Sequence, residues 1–311
     1  MPQKKVAGIF AATITPVRPD LSVDVERLAA YCVDVIDRGC DGVAPLGSAG
    51  EATSIPLAAR LLVPKALSRA SISSERVIIG AGGCSAGDAT AMAAASLNAG
   101  YPNLLVLPPF YYKDPDEDGL AEYYDHIVRS AGRDGRIYLY HFPRMSTVAI
   151  SVSLVQRLRD KWGDRVAGLK DSGGVFADTK AFLDCSTGFR VFSGSEHFLL
   201  DNLDANGAGV ISATTNVTGR LARKLAEAPP SDRDTLNDEL KEIRSILQAY
   251  PMSAMLKALM YWHTREEIWQ TLLPPLTALR QIDLLRLGNA LRRLPYFQNE
   301  FRIEAGSRLH Q

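Results

Sequence analysis

From residue 6 to about residue 229, short apolar runs alternate with longer segments of helical period, and eight such pairs follow one another. The apolar runs cover residues 6–16, 42–47, 76–82, 103–109, 136–143, 166–172, 189–195 and 209–215. Most are continuous rather than alternating, as in Leu104-Leu105-Val106-Leu107 and Gly209-Val210-Ile211-Ser212, which is the pattern of parallel strands covered on both faces. Helical segments follow them, among them Val23–Arg38, Leu57–Arg69 and Asp88–Leu97. Alternation alone also permits an open doubly wound sheet, but eight units in about 225 residues match the length of a closed barrel. After Pro229-Pro230 the strands stop, and residues 231–292 read as three or four helices, including Asp232–Gln248 and Met252–Trp262. The pattern therefore predicts an α/β chain, with a (β/α)8 TIM barrel over residues 1–229 and a C-terminal helical domain over residues 230–311.

A barrel carries its chemistry at the carboxyl ends of the strands, so position selects candidates before residue type does. Lys170 ends the sixth run, in Gly168-Leu169-Lys170-Asp171. Of the ten lysines, only Lys257 also lies among apolar residues, and on its predicted helix it reads as a side chain that snorkels to solvent. Lys170 has two readings: a barrel-mouth residue reaching water, or a nucleophilic amine kept neutral by apolar surroundings. Tyr140 ends the neighbouring fifth run, where its phenol can move the protons that imine formation requires, or can simply pack. The second run ends in Gly47-Ser48-Ala49-Gly50-Glu51, a turn whose N–H groups and Ser48 hydroxyl suit a carboxylate, although an ordinary helix-opening turn reads alike. The fourth ends in Pro108-Pro109-Phe110-Tyr111-Tyr112, projecting two phenols toward the same end.

Composition narrows the partners. The 311 residues carry 35 basic and 35 acidic side chains without a run of one sign, so neither nucleic acid nor an acidic membrane surface is indicated. No stretch of about 18 apolar residues occurs, and four scattered cysteines show no C-x-x-C pair, which predicts a cytoplasmic protein with reduced thiols. The five histidines lack ligand spacing, and Gly80-Ala81-Gly82-Gly83 lacks the third glycine of a dinucleotide loop, so the chain is expected to use no cofactor and no metal. Gly83-Cys84-Ser85-Ala86-Gly87 matches a nucleophile elbow, but no oxyanion segment precedes it and no acid–histidine pair completes a triad.

Taken together, Gly47–Glu51, Pro109–Tyr112, Tyr138–Pro143, Gly168–Gly173 and Gly209–Asn216 resemble the dihydrodipicolinate synthase and N-acetylneuraminate lyase family in identity, order and strand-end position. The resemblance implies a class I aldolase or lyase in which Lys170 forms an imine with pyruvate or with the 2-oxo end of a substrate. It further implies that Tyr140 is the acid–base residue, and that Ser48 links it to a second tyrosine supplied by a neighbouring subunit of a homodimer or homotetramer. Alignment from Pro109 assigns that tyrosine to Tyr111, and alignment backward from Gly119-Leu120 assigns it to Tyr112; the strand end is the more rigid anchor and favours Tyr111.

Departures from the family pattern bear on the substrate. Dihydrodipicolinate synthases carry an arginine where this chain has Met145, with Arg144 beside it, and a second threonine where it has Ala49. Leu57, Ala86 and Thr90 stand at positions that form the lysine-feedback pocket of regulated members and cannot supply the same hydrogen bonds. The acidic pair with which neuraminate lyases grip a polyol tail corresponds to Glu196-His197, and a later serine corresponds to Ala213. The expectation is a lyase for a shorter 2-oxo acid, such as a 2-keto-3-deoxy sugar acid. Ser48 and the Ala49 amide would hold the carboxylate, Gly194, Glu196, His197 and Ile211 would face the variable partner, and Ser172 and Arg144 complete the substrate-facing set. Dihydrodipicolinate synthase itself and a non-catalytic pyruvate-binding barrel are the alternatives.

Overall fold

The computed structural model describes residues 6–303; the outer ends of the two expected domains, residues 1–5 and 304–311, lie outside them. Eight parallel strands form the centre: β1 (Gly8–Ala11), β2 (Gly42–Val43), β3 (Ile79–Gly80), β4 (Asn103–Val106), β5 (Arg136–His141), β6 (Val166–Asp171), β7 (Arg190–Ser193) and β8 (Gly209–Ser212). They are hydrogen-bonded in the order β2-β1-β8-β7-β6-β5-β4-β3. A parallel bridge between Val43 and Val77, the Ile78 N–H to Val43 O bond of 3.0 Å and the Gly80 N–H to Pro45 O bond of 2.9 Å join the two ends of that sheet. The ring is therefore closed, as the count of eight units predicted.

The ladders are shorter than the apolar runs that announced them. In the run 42–47 the regular strand ends at Val43; Ala44 N–H still donates to Ala11 O at 2.7 Å and Pro45 O still accepts from Gly80, but Pro45 has no N–H to donate and Leu46 then turns into the left-handed region at φ 62°. Side chains alternate along each strand. Phe10, Ile78, Leu105, Tyr138, Tyr140, Phe192 and Ile211 fill the barrel interior, whereas Ile9, Ile79, Leu104, Leu139, Leu169, Val191 and Val210 face the surrounding helices. The interior is thus a packed core rather than a pore, and a polar residue at an inward strand end has only the barrel mouth to face.

Helices wrap the ring after each strand, and several start where the sequence supplies a cap. Asp24, Ser85, Asp116 and Ser151 each accept the N–H three residues on, opening the helices Val25–Asp37, Ala86–Asn98, Glu117–Ser130 and Val152–Trp162. Beyond the helix that follows β8, Thr215–Glu227, come Pro230–Leu247, Met252–Thr264, Gln281–Leu291 and Pro295–Asn299. Leu240, Ile243, Leu247, Met255, Leu256 and Leu259 of these later helices are buried in the same outer core as the barrel helices. Burial of each such side chain contributes roughly 1.5–3 kcal/mol before entropy is counted. None of the described helices is long and apolar enough to cross a membrane.

Lys257 departs from expectation. Instead of snorkelling, it is fully buried on the helix Met252–Thr264, where it pairs with Glu51 and donates to Thr271 O at 2.7 Å. Its helix is covered on the face that a surface lysine would use, so the stem has no route to water.

Candidate active site

Lys170 and Tyr140 are penultimate residues of β6 and β5, paired directly in the parallel register. Both point inward by strand alternation, and each is 4% exposed. The Lys170 Nζ donates to the Tyr140 hydroxyl at 3.2 Å and lies 4.3 Å from the centre of its ring. That hydroxyl is 3.4 Å from Ser48 Oγ, and Phe142 stacks on the phenol ring at 5.7 Å. An amine, a phenol and an alcohol therefore form a connected line along which protons can pass, at the mouth of an otherwise apolar barrel.

Ser48 is held by the turn after β2. Gly50 N–H donates to Gly47 O and Glu51 N–H to Ser48 O, each at 3.1 Å, while Thr15 Oγ1 anchors Gly50 O at 2.7 Å. Leu46 and Glu51 bracket this turn with left-handed φ of 62° and 60°. Among the described residues, no hydrogen bond within the chain uses the N–H of Ser48 or of Ala49. Tyr111 and Tyr112 lie beyond β4, pack edge to face at 5.3 Å, and stand 73% and 79% exposed. They do not meet Ser48 or Tyr140 within the chain.

Most of the chain has known counterparts. The profile of the dihydrodipicolinate synthetase family matches residues 5–293. The chain belongs to that family. Its relatives include an uncharacterized DapA-like lyase of Chloroflexus aurantiacus, 32% identical over 287 residues that cover 91% of this chain and 92% of the other. A 4-hydroxy-tetrahydrodipicolinate synthase of Sorangium cellulosum is 28% identical over 264 residues, covering 83% and 86%. Among solved structures, a dihydrodipicolinate synthase from Agrobacterium tumefaciens superposes with a TM-score of 0.84 at 29% identity, covering 93% of this chain and 99% of that one. A prophage protein of the dihydrodipicolinic acid synthase family from E. coli K12, solved in complex with pyruvate, has a TM-score of 0.85 at 24% identity, covering 93% and 98%; that likeness speaks to the fold. The chain is a carbon–carbon lyase of the dihydrodipicolinate synthetase family, built as a barrel with C-terminal helices.

Against this family background, one residue expected to face the variable substrate is placed elsewhere. Glu196, in the short turn Glu196–Phe198 after β7, is fully buried. Its carboxylate accepts from Ser212 Oγ at 2.6 Å, Thr214 Oγ1 at 2.5 Å and Thr218 Oγ1 at 3.0 Å, and pairs with Arg244 at 3.3 Å. Ile211 points into the barrel and Ser212 therefore points out, so Glu196 sits outside the barrel wall with every oxygen occupied. Ile211 itself is buried on the inner face of β8, in the cluster that also holds Tyr140 and Phe192.

His197 is the member of that pair left partly accessible, with Nε2 at 3.3 Å from Gln248 Nε2 and 3.5 Å from Ser245 Oγ. Burial, then the Arg244 guanidinium, hold its ring below the usual histidine range. Ser172 packs against Gly194: a Cβ on Gly194 would lie 2.1 Å from Ser172 Oγ. Arg144 is exposed at the mouth, its Nη1 3.8 Å from where a Gly174 side chain would begin, and Met145 beside it is 65% exposed. Ser85 of the nucleophile-elbow match is spent as a helix cap, accepting from Asp88 N–H at 3.3 Å.

Residues not singled out as site members complete the surroundings. Asp171, outward-facing beside Lys170, accepts from Gly173 N–H at 2.8 Å and from Thr179 Oγ1 at 2.5 Å. His141, opposite it on β5, accepts the Ile150 N–H at Nδ1 over 3.0 Å. Polar residues immediately after Tyr140 and Lys170, in otherwise apolar strands, were the sequence signal for this layer.

Proposed function

We propose that the chain is a pyruvate-dependent class I aldolase that makes or breaks a carbon–carbon bond through an imine on Lys170. The observation that carries the reading is the line Lys170 Nζ, Tyr140 OH, Ser48 Oγ, with steps of 3.2 and 3.4 Å at the carboxyl ends of β6, β5 and β2. The neutral amine attacks the C2 carbonyl of pyruvate, and Tyr140 passes a proton to the carbinolamine hydroxyl, which leaves as water. The protonated imine that results is an electron sink: loss of a C3 proton gives an enamine that adds to an aldehyde, and the reverse sequence cleaves a 4-hydroxy-2-oxo acid.

The Ser48 hydroxyl and the uncommitted N–H groups of Ser48 and Ala49 suit the carboxylate of pyruvate. Tyr111, so exposed within one chain, suits a proton path completed across a subunit contact of a cytoplasmic homodimer or homotetramer. The barrel, residues 1–229, supplies the chemistry and residues 230–311 the helical domain. Gly194, Ser172, His197 and Arg144 remain as the groups nearest a variable partner, and a polyol tail has lost Glu196 as a ligand. That favours a 2-keto-3-deoxy sugar acid over a longer sugar. Condensation with aspartate semialdehyde is the second reading, favoured by Arg144, whose Nη1 stands 3.8 Å from where a Gly174 side chain would begin.

A substrate panel separates the two. Pyruvate release from 2-keto-3-deoxy acids and from N-acetylneuraminate is measured beside pyruvate consumption with aspartate semialdehyde. Cleavage of a short 2-keto-3-deoxy acid is the expected result; turnover confined to aspartate semialdehyde overturns the substrate assignment.

A further inference from the structure

The turn that carries Ser48 is fastened from behind by the C-terminal helices. Glu51 ends the turn and is 2% exposed; its carboxylate pairs with Lys257 and accepts the Leu273 N–H at 2.6 Å. Lys257 is fully buried and also donates to Thr271 O at 2.7 Å. One carboxylate thus ties the turn to a helix about 206 positions later in the chain and to the segment that follows it.

Net stability is a weak reason for such an arrangement, because two desolvated charges cost about as much as their attraction returns. Well-packed apolar side chains of similar volume would hold the helix as well. What an ion pair adds is direction: the carboxylate must stand where its two partners are. At Glu51 the backbone is left-handed, a conformation unfavourable for a side chain with a Cβ, so the turn needs an outside hold to keep it. That hold propagates over three residues, through the Glu51 N–H to Ser48 O bond, to the hydroxyl standing 3.4 Å from Tyr140.

We infer that Glu51 and Lys257 are positioning residues: their buried pair sets the strand-two turn so that Ser48 and the Ala49 N–H meet the substrate carboxylate. The inference rests on the aldolase reading above and assigns the C-terminal helices a part in binding. Neither residue touches the reacting atoms.

The test is the pyruvate concentration that half-saturates borohydride trapping on Lys170, measured for wild type, Glu51→Gln and the double variant Glu51→Gln/Lys257→Met. The double variant removes both charges together, so that none is left buried alone. Leu240→Ala, in the helix Pro230–Leu247, serves as a control that loses core packing without touching the turn. Half-saturation is expected to rise roughly tenfold in the double variant, as for loss of one charge-assisted hydrogen bond, while trapping at saturating pyruvate stays complete. The control is expected to lose thermal stability with half-saturation unchanged. A folded double variant within about twofold of wild type overturns the inference. So does failure of both variants to fold, since the pair is then a requirement of the fold alone. Absence of any adduct in wild type instead overturns the aldolase reading and removes the ground of this inference.

Discussion

Tyr140 and Lys170 face each other residue to residue across β5 and β6, with the phenol oxygen 3.2 Å from the amine. Parallel pairing fixes that approach in the backbone, so neither side chain has to be brought in by a loop. Tyr140→Phe keeps the ring and its stacking on Phe142 but removes the hydroxyl proposed to carry protons. Its kcat is expected to fall on the order of 10²-fold or more, with the protein still folded. Steady-state kinetics beside a thermal melt check this; a variant with wild-type kcat contradicts the role.

Gly194 follows β7, and its N–H donates to Asp171 O at 2.6 Å. A Cβ there would stand 2.1 Å from Ser172 Oγ and 2.7 Å from the same Asp171 oxygen, so the strand ends beside Lys170 must part. Gly194→Ala is expected to cost about 1–3 kcal/mol of stability and to lower activity by more than the folded fraction falls. Denaturant unfolding together with activity per folded molecule tests both halves.

His141 gives a pH dependence. Burial holds its ring below the usual histidine range, with Asp171 and then Asp178 pulling the other way. The unfolded chain therefore takes up this proton near pH 6.5, whereas the folded ring resists and keeps Nδ1 as acceptor for the Ile150 N–H. The neutral ring's contribution is full above that pH and declines as pH falls toward the lower folded value. His197, also lowered, adds a change of the same sign. The melting temperature is expected to drop between about pH 7.5 and about pH 5.5, and the drop is expected to shrink in His141→Gln. Equal drops in the two proteins would refute the assignment.

If Tyr111 completes a neighbouring subunit's site, two inactive variants mend each other. Lys170→Ala and Tyr111→Phe homo-oligomers, unfolded and refolded together, are expected to recover activity of roughly a quarter of wild type, because half of the chains enter hybrids and half of the hybrid sites are intact. No recovery, with mixed oligomers demonstrated by mass, places the proton path within one chain. Recovery with Tyr112→Phe instead moves the role one residue along.

The barrel was legible because a covered parallel strand is a continuous apolar run, and eight such runs leave little choice of topology. The strand-end places of Lys170 and Tyr140 were legible for the same reason, as polar residues at the ends of apolar strands. Strand ends were not, since the left-handed Leu46 that halts β2 is a backbone state that an apolar run does not announce. Glu196 misled because its partners Ser212, Thr214, Thr218 and Arg244 arrive from β8 and two helices, so nothing local shows that its oxygens are filled. Lys257 misled in the opposite way. A lysine inside Ala254-Met255-Leu256-Lys257-Ala258-Leu259 is a helix-face residue until Glu51 is known to lie opposite it.

Intact-protein mass after incubation with pyruvate and borohydride reads out the imine on Lys170. Wild type is expected to gain one reduced pyruvyl group, mapped to the peptide containing Lys170, and Lys170→Ala to gain none. Folded wild-type protein that gains no mass, or an equal gain in Lys170→Ala, contradicts an imine on Lys170.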